Sequence, residues 1–181
     1  MPAVADSSVL IWLAKVGRLS LLREQYGHII IPPEAYREAV EEGLREGYGD
    51  AYLVKEAVKA GWIHVDMDES VERDARSLME ELRDVHEGEA AALLLAARRR
   101  VPLLIDESSG RALARAFGVA SRGVLHVLLK ALHDDVLTSS EVRDDLTLMI
   151  ASGYRIEPRL LERVIREVTR FEGMDRSRTH G

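Results

Sequence analysis

Short apolar runs alternate with amphipathic segments along most of the chain. Apolar runs bounded by glycine, proline or charged residues predict buried β-strands, and segments with apolar positions three and four apart predict helices. The predicted strands cover residues 4–5, 28–31, 62–65, 103–105 and 118–120, the last of them very short. Strands that alternate with helices form parallel sheets covered on both faces. The pattern therefore predicts an α/β protein with three layers, α/β/α, around a central, mostly parallel sheet of roughly four to five strands.

Capping residues, prolines and glycines bound the predicted helices. Ser7 or Ser8 can cap the first helix, which Gly17 ends, and Pro33 opens the helix after the second strand. The glycine-rich stretch 43–49 is expected to be a loop. The predicted helices cover residues 7–16, 33–40, 51–60, 70–82, 88–99, 109–117, 124–132, 140–151 and 158–171, and a further helix begins at residue 19.

Length and composition are those of one globular domain. The chain has 181 residues, of which 46% are hydrophobic, and this is enough to bury a proper core. We expect a domain over residues 1–157, a C-terminal helix at 158–171 packed on it, and a flexible tail at 172–181. The chain contains no cysteine, which excludes disulfides and thiolate metal ligands. Any bound metal ion must therefore use oxygen ligands or histidine.

The charge balance limits the classes of partner. A formal net charge of −6 at pH 7 argues against a protein that grips nucleic acid through a broad basic face. An enzyme that contacts nucleic acid briefly remains compatible with this charge. The start of the chain lacks a signal-type segment, and no apolar run approaches the roughly 18 residues that span a bilayer. We therefore expect a cytoplasmic protein with no membrane partner.

Two of the predicted strands end in an aspartate that is followed at once by a helix. Asp6 follows the first strand, and Asp106 follows the fourth. Open α/β sheets bind their ligands at the carboxyl ends of the strands. If these two strands are neighbours, the aspartates lie about 5 Å apart, and two such anions repel unless a proton or a cation joins them. The pattern predicts a metal site.

Two glutamates can join this site. Glu89 lies in the first turn of its helix and can point back toward the same end of the sheet, and Glu38 lies in the helix after the second strand. Carboxylates without cysteine suit Mg²⁺ or Mn²⁺. Each acid also has a purely structural interpretation. The aspartates are possible helix N-caps, Glu89 is stabilised by the helix dipole in any case, and Glu38 would by default belong to a solvated acidic face with Glu34.

Four motifs in order carry a family resemblance. They are DSS at residues 6–8, IPPEAYRE at 31–38, HEGEA at 86–90 and LLIDE at 103–107. Together they resemble the PIN domain family of metal-dependent ribonucleases, and in particular a prokaryotic branch of it. The resemblance covers roughly residues 3 to 157, nearly the whole chain, and implies a parallel sheet in which the first and fourth strands are neighbours.

The resemblance also implies roles for individual residues. The implied metal-binding and catalytic residues are Asp6, Glu38, Glu89 and Asp106. Glu107 stands where many members carry a further acid, so it is a possible fifth ligand, and Ser7, Ser8 and Arg111 are candidates for contacting the substrate phosphate. The chain departs from the commonest pattern because Ser109 and its neighbours provide no further acid after Asp106. The number of metal ions, one or two, therefore stays open.

The function implied is Mg²⁺- or Mn²⁺-dependent hydrolysis of single-stranded RNA. Many family members of this size are toxins of toxin–antitoxin pairs, so an antitoxin and a homodimer are expected partners. Two alternatives are an RNA-processing nuclease that is not a toxin and a catalytically inactive RNA-binding or assembly module. A receiver-like signalling domain is disfavoured, because it needs a lysine at a late strand end. All lysines lie on predicted helices, at positions 15, 55, 59 and 130.

Overall fold

The computed structural model of the chain describes residues 1–82 and 85–178. The chain forms two compact units, Met1–Val124 and a unit that begins at Leu125. The predicted domain boundary at residue 157 falls inside the second unit. Among the described helices, none is long and apolar enough to cross a membrane.

The first unit contains a five-stranded sheet in the order β3-β2-β1-β4-β5, and every neighbouring pair is parallel. The strands are β1 Ala3–Ala5, β2 Ile29–Ile31, β3 Ile63–Val65, β4 Leu103–Leu104 and β5 Ser121–Arg122. This confirms the α/β fold class and the parallel sheet. It also confirms that the two strands followed by aspartates, β1 and β4, are neighbours.

Besides one π-helical segment, eight α-helices of the first unit are described before β5. They are α1 Ser7–Lys15, α2 Ser20–Tyr26, α3 Pro33–Tyr36, α4 Gly43–Arg45, α5 Asp50–Lys59, α6 Glu69–Glu81, α7 Glu87–Arg99 and α8 Ser108–Ala116. The successive residues of β1 are all fully buried, so both faces of the sheet are covered. On one face Val4 and Leu103 pack with small residues of α7 such as Ala91.

The helix after β2 differs from the predicted helix 33–40. It starts as α3, continues as a π-helical segment Arg37–Glu42, and ends as α4. The first part of the stretch 43–49, expected to be a loop, is therefore helical. Short π-helical turns inside helices are often found at functional sites, and this one carries Glu38.

The predicted fifth strand at residues 118–120 is wrong by a few positions. Gly118 has a φ of +68°, and the N–H of Val119 donates to the carbonyl of Ala114, so this segment closes α8. The strand β5 follows at Ser121–Arg122, where polar side chains give no apolar run to recognise.

The second unit is helical. It contains α10 Ser139–Ala151 and α11 Pro158–Arg178, and α9 Val124–His133 leads into it. Thr138 and Glu141 form a capping box at the start of α10, and the Ser139 hydroxyl donates to the carbonyl of Val168 on α11 at 3.2 Å. The sequence predicted that the last helix ends near residue 171, whereas α11 continues to residue 178. The last three residues of the predicted tail lie outside the described residues.

Candidate functional site

A cleft of about 360 Å³ opens at the carboxyl end of β1. We call it the Asp6 cleft. Its lining comes from α1, the π-helical segment, the start of α7 and the start of α8. The lining residues are Asp6, Ser7, Ser8, Glu38, His86, Gly88, Glu89, Glu107 and Ser109. Three of the four predicted metal-binding acids, together with Glu107 and both serines predicted to contact substrate, therefore lie in one cleft.

Asp6 occupies the N-cap position of α1 but does not use its side chain as a cap. Its backbone is extended, with φ −81° and ψ 160°, and no side-chain capping hydrogen bond is formed. The side chain is 4% exposed, and the Ser8 hydroxyl donates to its Oδ2 at 2.8 Å. Burial raises the pKa of Asp6, the Ser8 hydrogen bond opposes this, and the nearby Glu38 charge raises the pKa further. The backbone N–H groups of Ser7 and Ser8 also lower the pKa of Asp6, so its carboxylate lies both against the start of α1 and in the cleft.

Glu38 faces Asp6 from the π-helical segment. The Ser7 hydroxyl donates to Glu38 Oε2 at 2.5 Å and also lies 3.5 Å from Asp6 Oδ1. Glu38 is half-buried, so it does not belong to the solvated face that its acidic neighbours suggested. Ser7 therefore links the two carboxylates across the cleft.

Glu89 approaches from the first turn of α7 and is 4% exposed. Burial raises its pKa, and the negative charge of Asp6 raises it further. The Ser109 hydroxyl lies 3.2 and 3.3 Å from the two carboxylate oxygens of Glu89 and opposes the shift. Sequence reasoning noted Ser109 only as the absence of an acid. The position of Ser109 in the first turn of the helix after Asp106 was the signal in the sequence that could have placed it near the site.

Gly88 lets the start of α7 come close to these acids. A Cβ atom at this position would lie 3.4 Å from Glu38 Oε1 and 3.9 Å from Asp6 Oδ1. A side chain here would therefore fill part of the space between the two carboxylates. Because Gly88 has no side chain, the cleft stays open between the carboxylates of Glu38 and Asp6.

Asp106 is placed differently from the other three acids. The N–H of Val124, the first residue of α9, donates to Asp106 Oδ1 at 3.0 Å. Gly123 makes this possible, because a Cβ atom there would lie 2.4 Å from the same oxygen. Asp106 does not line the Asp6 cleft, whereas its neighbour Glu107 does. Arg111 lies near Asp106 and Gly123, and it is not among the cleft-lining residues either.

The register of the sheet explains this placement. Ala5 lies opposite Leu104, so Asp6 is in line with Ile105, and Asp106 lies one residue further along. Because successive residues of a strand point to opposite faces, an offset of one residue turns the two aspartates apart. The sequence correctly predicted that both aspartates follow strands, but the register between β1 and β4 cannot be read from the sequence.

The carboxylates of the cleft form an oxygen-only donor set. Such a set suits Mg²⁺ or Mn²⁺. Burial is the main cause of the raised pKa values of Asp6 and Glu89, and repulsion from neighbouring carboxylates raises them further. In the part of the chain that the structure describes, no group of three or more histidine, aspartate or glutamate side chains is arranged to hold a metal ion as it stands. The hydroxyl groups of Ser7, Ser8 and Ser109 contact oxygens of these carboxylates.

Comparison with known proteins gives one finding on the family. A family model described as a PIN domain matches residues 2–170. The match contains all four predicted metal-binding acids and extends beyond the range expected from the sequence motifs. A search of the curated proteins gives no match.

Proposed function

Because the chain belongs to the PIN domain family, we propose that it is a Mg²⁺- or Mn²⁺-dependent ribonuclease that hydrolyses phosphodiester bonds of single-stranded RNA. PIN domains are generally nucleases. The observation that carries the proposal is the convergence of Asp6, Glu38 and Glu89 in one small cleft. The burial of two of these acids, which raises their pKa values, is costly unless a proton or a cation joins them.

The residues that would hold the ion are Asp6, Glu38 and Glu89, with Glu107 at the edge of the same cleft. The sequence motif proposes Asp106 as a fourth acid, but this residue does not line the cleft. A bound Mg²⁺ or Mn²⁺ supplies a Lewis acid that orients a phosphate, activates water and stabilises charge on the leaving oxygen.

The residues of the chain do the remaining work. The serine hydroxyl groups of Ser7, Ser8 and Ser109 hold the three carboxylates in place. A carboxylate of the cleft accepts the proton of the attacking water, and cleavage leaves 5′-phosphate and 3′-hydroxyl ends. The cleft is small, so it suits a flexible unpaired backbone better than a rigid duplex. The guanidinium of Arg111 beside Asp106 supplies positive charge, and the imidazole of His86 lines the cleft.

The biological role that we propose is that of a toxin in a toxin–antitoxin pair. An antitoxin protein and a second copy of the chain are the proposed partners. A processing nuclease with the same chemistry is the alternative for a chain of this family. A catalytically inactive RNA-binding module is favoured by one observation, the absence in the described residues of a group of acids arranged to hold a metal ion.

One experiment separates the nuclease from the inactive module. Unstructured RNA labelled at its 3′ end is incubated with the protein in chelator, in Mg²⁺ and in Mn²⁺, and the 5′ ends of the labelled products are identified. The nuclease predicts cleavage only with metal and products that begin with 5′-phosphate. Binding of the RNA without cleavage in millimolar Mn²⁺ would contradict the nuclease proposal and favour the catalytically inactive RNA-binding module.

A further inference from the structure

A second cleft, of about 600 Å³, lies between α3, the end of β3, α6 and the start of α7. We call it the Glu34 cleft. It shares no lining residue with the Asp6 cleft. The two clefts adjoin at Gly88, since a Cβ atom there would lie 3.8 Å from Glu34 Cβ and 3.4 Å from Glu38 Oε1. The Glu34 cleft is therefore a separate feature of the fold.

Glu34 is the unusual residue of this cleft. It is 8% exposed, and its Oε2 atom is buried without a hydrogen-bond partner among the described residues. Burial raises the pKa of Glu34, and the charges of Glu72 and Glu87 raise it further. A buried carboxylate oxygen with no donor is unfavourable when the group is ionised, because the protein does not replace the hydrogen bonds that water would make to the charge.

The charge of Arg37 lowers the pKa of Glu34, but burial and the carboxylates of Glu72 and Glu87 outweigh this effect. Arg76 contacts Glu87 at 3.2 Å and Glu72 at 3.8 Å, so its guanidinium is engaged by these two carboxylates. Glu41 and Arg37 complete the charged lining. The cleft thus presents more carboxylates than guanidinium groups. A positively charged ligand would correct the imbalance.

The apolar part of the lining indicates the shape of that ligand. Val65 and the exposed side chain of Met67 line the same cleft as Glu34. An aliphatic stem can pack along such side chains while its charged head reaches a carboxylate. A bare metal ion would not use these walls. No group of acids in the described ranges, 1–82 and 85–178, is arranged to hold one.

We propose that the Glu34 cleft binds an alkylguanidinium group, with the planar head on the Glu34 carboxylate and the aliphatic stem along Val65 and Met67. A guanidinium presents parallel N–H donors that match both oxygens of a carboxylate. The terminal torsion of a glutamate is broad, so Glu34 can turn Oε2 toward the cleft at little cost. The group is either a free small molecule or an arginine side chain of a protein partner.

The test uses the full-length protein and n-butylguanidinium as the probe, followed by NMR titration. Saturable binding is expected in the millimolar range or tighter, with shifts at Glu34 and Glu87. Glu34→Gln should weaken binding at least tenfold, while Glu24→Gln, an exposed glutamate on α2, should change it less than twofold. The neutral probe n-butylurea should not bind. Absence of saturable binding, or equal affinity in Glu34→Gln, would overturn the proposal.

Two further variants keep the test valid if Glu34→Gln folds poorly. Glu72→Gln removes a more exposed carboxylate of the same cleft and should weaken binding about threefold to tenfold. Asp6→Asn alters only the other cleft and should leave the affinity unchanged. If Glu72→Gln has no effect or Asp6→Asn abolishes binding, the probe lies elsewhere and the assignment is wrong.

A second probe distinguishes the two sources of the group. A capped tripeptide Ala-Arg-Ala carries the same head on a peptide backbone. Affinity at least tenfold above that of n-butylguanidinium indicates an arginine of a protein partner, and equal or lower affinity indicates a free alkylguanidinium. Either ratio supports the shared chemistry, provided that the Glu34→Gln variant loses both ligands. Retention of both ligands by that variant contradicts the proposal.

Discussion

The packing of Gly110 against Ile105 allows a quantitative test of the structure beside the site. A Cβ atom at residue 110 would lie 2.1 Å from Ile105 Cδ1 and 3.0 Å from Ile105 Cγ1. Ordinary carbon contacts are about 3.5–4.0 Å, so the Ile105 methyl group must move by more than about an ångström. Ile105 is fully buried, which leaves little space for the movement. Gly110→Ala should therefore crowd this part of the core.

The expected magnitude combines two opposing effects. Overpacking costs about 1–3 kcal/mol, and alanine is favoured over glycine in a helix by about 1 kcal/mol. The net loss in the free energy of unfolding should be about 1 kcal/mol. Ile105→Val alone should also lose about 1 kcal/mol, because it deletes a buried methyl group. In the double variant, Ile105→Val removes the colliding Cδ1 atom. We therefore expect the double variant to be more stable, by about 1 kcal/mol or more, than the sum of the two single effects predicts.

Urea unfolding followed by tryptophan fluorescence measures these values. Both tryptophans, Trp12 and Trp62, lie in the first unit, so the signal reports the unit that contains the site. Additive effects of the two substitutions, together with a Gly110→Ala variant that is more stable than the wild type, would refute the packing described for Gly110 and Ile105.

Three further predictions concern single side chains. In chelator at pH 7, Asp6→Asn should melt at a higher temperature than the wild type. The pKa of Asp6 is raised above its ordinary value of 3.8 in the folded protein, so the stability of the wild type falls as the pH rises from 3.8 through the raised pKa. The difference in melting temperature between the two proteins should narrow toward pH 3.8, and an Asp6→Asn variant that melts below the wild type at pH 7 contradicts this prediction. Asp106→Asn should keep its stability, since asparagine also accepts the Val124 N–H, whereas Asp106→Ala should lose about 1 kcal/mol in urea titrations; equal losses exclude the hydrogen bond as the cause. Ser109→Ala should shift the pH–rate profile of RNA cleavage, because its hydroxyl lowers the pKa of Glu89, and an unchanged profile refutes that role.

The strands of the sheet were predictable because most of them are apolar and buried. The apolar runs before Asp6 and Asp106 marked β1 and β4, and the family resemblance implied that these two strands are neighbours. The strand β5 was misplaced because it pairs through its backbone alone, and its serine and arginine side chains carry no apolar pattern. A strand of this kind is recognised only when its partner is in place.

The candidate site was predictable in residue type but not in detail. The chain order of two consecutive acids, Asp106 and Glu107, does not say which one lines the cleft, because that depends on the register between strands. The link between Ser109 and Glu89 depends on the packing of α8 against α7. Glu34 resembled a solvated acid on a charged helix, and its burial follows only from contacts with distant elements.

The central claim is that the Asp6 cleft performs metal-dependent cleavage of RNA. The most direct measurement is the initial rate at which 5′-phosphate ends appear from unstructured RNA in millimolar Mn²⁺, for the wild type, Asp6→Asn and the exposed control Glu24→Gln, each checked for folding by circular dichroism. The account predicts a loss of roughly 100-fold or more in Asp6→Asn and no loss in Glu24→Gln. Cleavage by folded Asp6→Asn at the rate of the wild type would contradict it.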